Sequence, residues 1–94
     1  QGSGGIGIEE LDLTTLEVYP NPTDGLVNIQ LNTSQATELQ VELYSLEGKM
    51  IYQRKSQTSE KGLLSLDFGH LPVATYILRI SNQEGVANHR IIIK

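Results

Sequence analysis

From residue 16 onward, hydrophobic and polar residues alternate with a period of two. In "ELQVELYS", Leu39, Val41 and Leu43 point one way while Glu38, Gln40, Glu42 and Tyr44 point the other, the signature of a half-buried β-strand. The same test places Val27, Ile29 and Leu31 inward in "LVNIQL", Leu64, Leu66 and Phe68 in "LLSLDF", and Tyr76, Leu78 and Ile80 in "TYILRI". Seven short strands follow, at about 16–20, 26–32, 38–45, 49–56, 63–68, 74–81 and 86–93. Between them stand "NPTDG", "NTSQAT", "LEGK", "SEKG", "GHLP" and "NQEG", each with the Gly, Pro, Asn or Ser that a chain reversal needs. Short strands at this even spacing predict a seven-stranded antiparallel β-sandwich. Only "TSQATEL" offers a helix start, and alternation resumes too soon for more than one helical turn.

Proline placement agrees with the strands. Pro20, Pro22 and Pro72 fall at strand ends, where a missing N–H breaks no interior ladder bond. In "YPNPTDG" two prolines restrict φ and push Tyr19 and Asn21 towards extended conformations, while Gly25 is free to take positive φ. This reads as a rigid corner that hands the first strand to the second.

Composition narrows the function. Ninety-four residues, 38% of them hydrophobic, suit one compact domain with short loops and no large internal pocket. Eleven Asp and Glu against seven Lys and Arg leave a net charge of −4, which argues against a nucleic-acid binder. "EGKMIYQRK" sets Lys49, Arg54 and Lys55 around Tyr52, but without an aromatic platform it reads as a solvated hairpin. There is no cysteine, so disulfides and thiolate chemistry are excluded. No apolar run approaches the roughly 20 residues of a membrane-spanning helix, and the opening lacks the basic and apolar regions of a secretory signal.

No catalytic constellation emerges. Ser45, Ser65 and Ser81 lie in strands without a strained nucleophile elbow, and His70 and His89 lack neighbours at ligand or triad spacing. Asp12, Asn21, Asp24 and Asn28 are the best set of oxygens for calcium, although turns are rich in Asn and Asp for backbone reasons alone. Glu9, Glu10 and Asp12 make a small acidic patch in the lead-in, and "NTS" at Asn32 is a three-residue glycosylation match with nothing to support it. The expectation is a non-enzyme with no cofactor and no metal.

Four segments in order, "YPNPTDGLVNIQL", "VELYSLEGKMIY", "LDFGHLPVATYILRI" and "NHRIIIK", resemble the C-terminal sorting domain of proteins exported by the type IX (Por) secretion system of Bacteroidota. The resemblance runs from about Leu16 to Lys94. The family's Y-P-N-P-x-x-G corner falls on Tyr19, Pro20, Asn21, Pro22 and Gly25. Its L-x-D-x-x-G-R-x-V hairpin is matched loosely by Leu43, Leu46, Gly48, Lys49 and Ile51, with Ser45 at the usual Asp. Its L-P-x-G-x-Y-x-L motif falls on Leu71, Pro72, Tyr76 and Leu78, with Ala74 at the usual Gly.

The resemblance implies an immunoglobulin-like sandwich that acts as a removable address label. It directs a cargo across the outer membrane and is then cut off by a sortase-like cysteine peptidase, leaving the cargo on the cell surface. Implied partners are the outer-membrane shuttle and translocon proteins of the type IX system and that peptidase, with transit through the periplasm. Residues 1–15 read as a flexible lead-in or cloning remnant, with cleavage upstream of Leu16, and residues 16–94 as the sorting domain. Recognition is expected at Arg90, Ile91, Ile92, Ile93 and Lys94, with Leu71, Pro72, Tyr76 and Arg79. It would work by strand addition or by pocket binding, unless the isoleucines are simply the last core strand. Exposed edge strands leave a homodimer open. The competing reading is an immunoglobulin-like or fibronectin-like binding module for carbohydrate or a protein, in which Tyr44 and Tyr52 are the one aromatic pair available to a sugar.

Overall fold

The alternating runs pair into two sheets whose apolar faces meet. The computed structural model describes residues 16–83 and 85–94, and the expected lead-in, residues 1–15, lies outside the described residues. The strands are β1 (Glu17–Tyr19), β2 (Leu26–Gln30), β3 (Glu38–Ser45), β4 (Met50–Gln57), β5 (Leu63–Asp67), β6 (Ala74–Asn82) and β7 (Gly85–Ile93). They form a three-stranded sheet in the order β1-β2-β5 and a four-stranded sheet in the order β4-β3-β6-β7. Each ladder is antiparallel. This is the seven-stranded antiparallel sandwich that the alternation predicts, immunoglobulin-like as the resemblance implies, and the single helical turn allowed in "TSQATEL" is not formed.

Between the sheets lie the residues that the period of two points inward. Val27, Ile29 and Leu31 from β2 and its end face Leu39, Val41 and Leu43 of β3 and Leu78 and Ile80 of β6, all essentially inaccessible. Burial of each such side chain stabilises by about 1.5–3 kcal/mol, so this alternation is the main determinant of register: a one-residue slip would turn a whole strand's apolar set to water. Leu64, expected inside, is half-buried because β5 is an edge strand.

Short connections cross between the sheets at β2–β3, β4–β5 and β5–β6. Thr58, buried at the β4 exit, donates its N–H to the Thr37 carbonyl at 2.9 Å and accepts from the Thr37 N–H at 3.0 Å through its hydroxyl. The β2–β3 and β4–β5 crossings are thereby tied together. In the β3–β4 hairpin a bulge leaves Ile51 extra, so Leu43 pairs with Tyr52 but Tyr44 with Met50. Tyr52 therefore faces inward, its ring edge-on to Phe68 at 5.1 Å, and Tyr44 faces outward.

Candidate functional site

Asn21, between two prolines, explains why the opening corner and the closing strand share one end of the sandwich. Pro20 and Pro22 have no N–H to give, and the amide of the Asn21 side chain stands in for the missing backbone. Its Nδ2 donates to the Arg90 carbonyl at 2.8 Å, and its Oδ1 accepts from the Ile92 N–H at 3.0 Å. The chain then continues alongside β7 as a short parallel strand would: the Thr23 N–H donates to the Ile92 carbonyl at 2.8 Å and the Lys94 N–H to the Thr23 carbonyl at 2.9 Å. At this corner the first strand leaves the edge of one sheet and joins the edge of the other. The Tyr19–Pro20 and Asn21–Pro22 peptide bonds are both cis.

The rest of the corner motif holds this path. Thr23 is buried, and its hydroxyl accepts from the Gly25 N–H at 3.0 Å and donates to the Leu26 carbonyl. Gly25 has φ 133° and lies against Gly69, so that a Cβ there would collide with the Gly69 backbone. Its carbonyl accepts from the Phe68 N–H at 2.7 Å. The hairpin motif has a similar logic. Ser45, at the position where Asp is usual, accepts from the Lys49 N–H at 3.1 Å through its hydroxyl, and Gly48 takes φ 93°. A side-chain oxygen that closes the turn is what this position needs, and Ser supplies it.

The expected recognition residues divide between core and surface. Tyr76, Ile91 and Ile93 are buried in the core, and the Tyr76 hydroxyl donates to the Pro72 carbonyl at 2.7 Å. Arg79, Arg90, Ile92 and Lys94 project outward, as does Pro72, and Leu71 is half-buried. Leu71, Pro72 and Tyr76 line one groove of about 350 Å³ together with Leu46, Ile51 and Thr75. Thr75 is the cross-strand partner of Ile92, so the groove and the outer side of β7 are continuous. Strand addition at Arg90–Lys94 is closed, because the outward carbonyls of Arg90 and Ile92 and the outward N–H groups of Ile92 and Lys94 are already bonded to the corner.

Other candidate sites weighed from the sequence are not assembled among the described residues. Of the calcium candidates, Asp12 lies outside the described residues, Asn21 is held by β7, and the Asn28 Oδ1 accepts from the Ser65 hydroxyl at 2.6 Å. Among the described residues no group of three His, Asp or Glu side chains comes together. Tyr44 and Tyr52 lie on opposite faces of the four-stranded sheet, so the aromatic pair needed by the carbohydrate reading does not exist. Arg54 and Lys55 likewise face opposite ways from β4. On the outer face the Tyr44 hydroxyl donates to Glu42 Oε1 at 3.0 Å, and Arg79 Nε approaches the same oxygen at 3.8 Å. Partial burial and then the Glu42 carboxylate push the Tyr44 phenol above its usual pKa. Burial lowers the pKa of His89.

A family model described as the secretion system C-terminal sorting domain matches residues 17–94, from the start of β1 to the closing lysine. The chain belongs to that family. A comparison with curated proteins finds no match. The sorting domain is a type IX secretion signal: it interacts with the type IX machinery and directs export across the outer membrane toward the cell surface or the extracellular space. The match covers every described strand, and nothing favours the binding-module alternative. The corner residues of this sorting domain that sequence alone leaves unexplained, Asn21 of the motif and Thr23 at one of its variable positions, are the ones that join its first turn to its last strand. The signal for Asn21 was present in the sequence: between two residues without N–H groups, it is the one side chain that offers both a donor and an acceptor.

Proposed function

We propose that the sorting domain is read as a folded body, at the end where the corner, the "LPVAT" turn and the closing strand meet. The observation that carries this is the pairing of Asn21 and Thr23 with Arg90–Lys94, which fixes the corner beside the outward side chains of Arg90, Ile92 and Lys94. The exposed Pro72 and the half-buried Leu71 border the same surface, and Arg79 lies on the outer face beside it. Tyr76, Ile91 and Ile93 serve by holding that surface rigid. The partners in this reading are the outer-membrane shuttle and translocon proteins, met during periplasmic transit. A sortase-like cysteine peptidase then cuts upstream of Leu16 and leaves the cargo at the cell surface. The domain is in this account a substrate and not a catalyst. Residues 16–94 form the rigid unit, and cutting takes place upstream of it.

The test is fusion of the whole chain to a signal-peptide-bearing reporter in a type IX-competent bacterium, with surface and periplasmic reporter compared. Removal of Ile93 and Lys94 is a poor probe of recognition, because Ile93 is core. Ile92→Ser is the better one, since Ile92 is 40% exposed. Surface delivery by the parent fusion and its loss in Ile92→Ser, with the thermal midpoint unchanged, are the expected results. Delivery unaffected by Ile92→Ser would remove the closing strand's surface from the reading.

A further inference from the structure

The outer face of the four-stranded sheet has a chemistry of its own. The register lays side chains across it in rows. One row is Met50, Tyr44, Ile77 and Arg90, and the next is Gln53, Glu42, Arg79 and Asn88. On the other side of the first row, Ile92 stands opposite Thr75. Met50 is 42% and Ile92 40% exposed, and Tyr44 and Ile77 are half-buried. An apolar band therefore crosses the sheet, and among the described residues no segment lies over it.

Cations gather around that band. Lys55, Arg79, Arg90 and Lys94 stand on this side of the molecule; among the described residues Glu38 and Glu42 are the carboxylates within the sheet's outer face, with Glu47 lining the adjoining groove. Four of the chain's seven Lys and Arg thus give one face a surplus of positive charge on a molecule whose net charge is −4. Such segregation produces a local field that selects partners of opposite sign. Docking by backbone is closed at Arg90–Lys94, which leaves side chains as the means of recognition there.

We propose that this face docks a protein surface with an apolar centre and a border of carboxylates, carried by the export machinery. This rests on the sorting-signal reading and adds to it the chemistry of the partner. A protein fits better than an anionic lipid surface for two reasons. Glu42 sits within the face, beside Arg79, where a continuous sheet of phosphates would meet it head-on, and the net charge of the whole chain opposes approach to such a sheet. Discrete carboxylates placed against Arg79 and Arg90 avoid both penalties.

The experiment uses the whole chain as a C-terminal fusion to a signal-peptide-bearing reporter, in three forms: parent, R90E/K94E, and K61E as a charge reversal in the β4–β5 turn. Arg90 and Lys94 are exposed, so their reversal disturbs no core contact, and the thermal midpoint of each purified chain checks the fold. A second folded variant, Met50→Glu, tests the apolar band by itself. The expected result is normal surface delivery for the parent and K61E and a loss of about tenfold or more for R90E/K94E and Met50→Glu. Unchanged delivery by R90E/K94E and Met50→Glu, with a parent that is exported, overturns the acidic-partner proposal and leaves the sorting reading standing. A parent that stays in the periplasm overturns the sorting reading itself. Purified parent and R90E/K94E are also mixed with vesicles of phosphatidylglycerol and phosphatidylethanolamine. Binding by the parent that is lost in the variant assigns the face to lipid and overturns the protein partner, whereas the absence of binding by the parent supports it.

Discussion

At the residue scale, Asn21 carries the most structural information per atom. Its two side-chain hydrogen bonds bind the edge of β7, and each such bond contributes about 0.5–1.5 kcal/mol net. Asn21→Ala is therefore expected to lower stability by about 1–3 kcal/mol in urea unfolding and to speed hydrogen exchange at the Ile92 amide, which loses its acceptor. Exchange unchanged at Ile92 would show that the corner does not hold the strand. His89 supplies the pH dependence. Burial lowers its pKa from the usual 6.5, so the folded state favours the neutral ring and the unfolded chain takes up the proton first as pH falls. Its stabilising contribution is whole above the unfolded value and is lost as pH falls through 6.5 towards the folded pKa. Urea midpoints measured between pH 7.5 and 5.5 are expected to fall for the parent and to fall less for His89→Gln.

The strand is the scale at which fold and recognition separate. In β7, Ile91 and Ile93 face the core and Ile92 faces outward, so three consecutive isoleucines sit in two different environments. Ile91→Ala leaves a cavity in a closed core and is expected to cost about 2–5 kcal/mol. Ile92→Ala is expected to stay within about 0.5 kcal/mol, as exposed positions do. Chemical denaturation of the two variants tests this division, and equal losses would place Ile92 in the core as well. Edges are also treated strand by strand. β4 carries Arg54, Lys55 and a bulge, devices that discourage pairing with another sheet. The second half of β7 is covered by the corner, and β1 is only three residues long.

For the whole molecule, the first turn and the last strand form a single structural unit although they lie 69 and 71 residues apart in the two Asn21 contacts. Integrity of the sandwich and display of Arg90, Ile92 and Lys94 are thereby coupled: an unfolded domain presents no ordered outer face. Removing Ile93 and Lys94 deletes a buried side chain and the Lys94–Thr23 bond together, and it is expected to cost about 2–5 kcal/mol. In a domain of this size that lowers the thermal midpoint by at least about 8 °C, measurable by circular dichroism. A truncated chain that melts with the parent would show that the closing residues have no part in the stability of the fold.

The strands, most of the inward residues and the fold class are legible in the chain because each depends on a local period of two and on turn residues that act within four or five positions; half-buried Leu64 and inward Tyr52 depart from it through an edge strand and a bulge. "ELQVELYS" states its own register, and "YPNPTDG" states that it is a corner. What the corner is for is decided only when distant segments meet. The exchange of bonds between Asn21 and β7 depends on strand order, which no local pattern encodes, and so do the rows that carry Met50, Tyr44, Ile77 and Arg90 across four strands. The same reason explains the mixed fate of the expected recognition residues. Period two shows that Ile91 and Ile93 share a side opposite to Ile92, but only the closing of one sheet over the other decides which side water reaches.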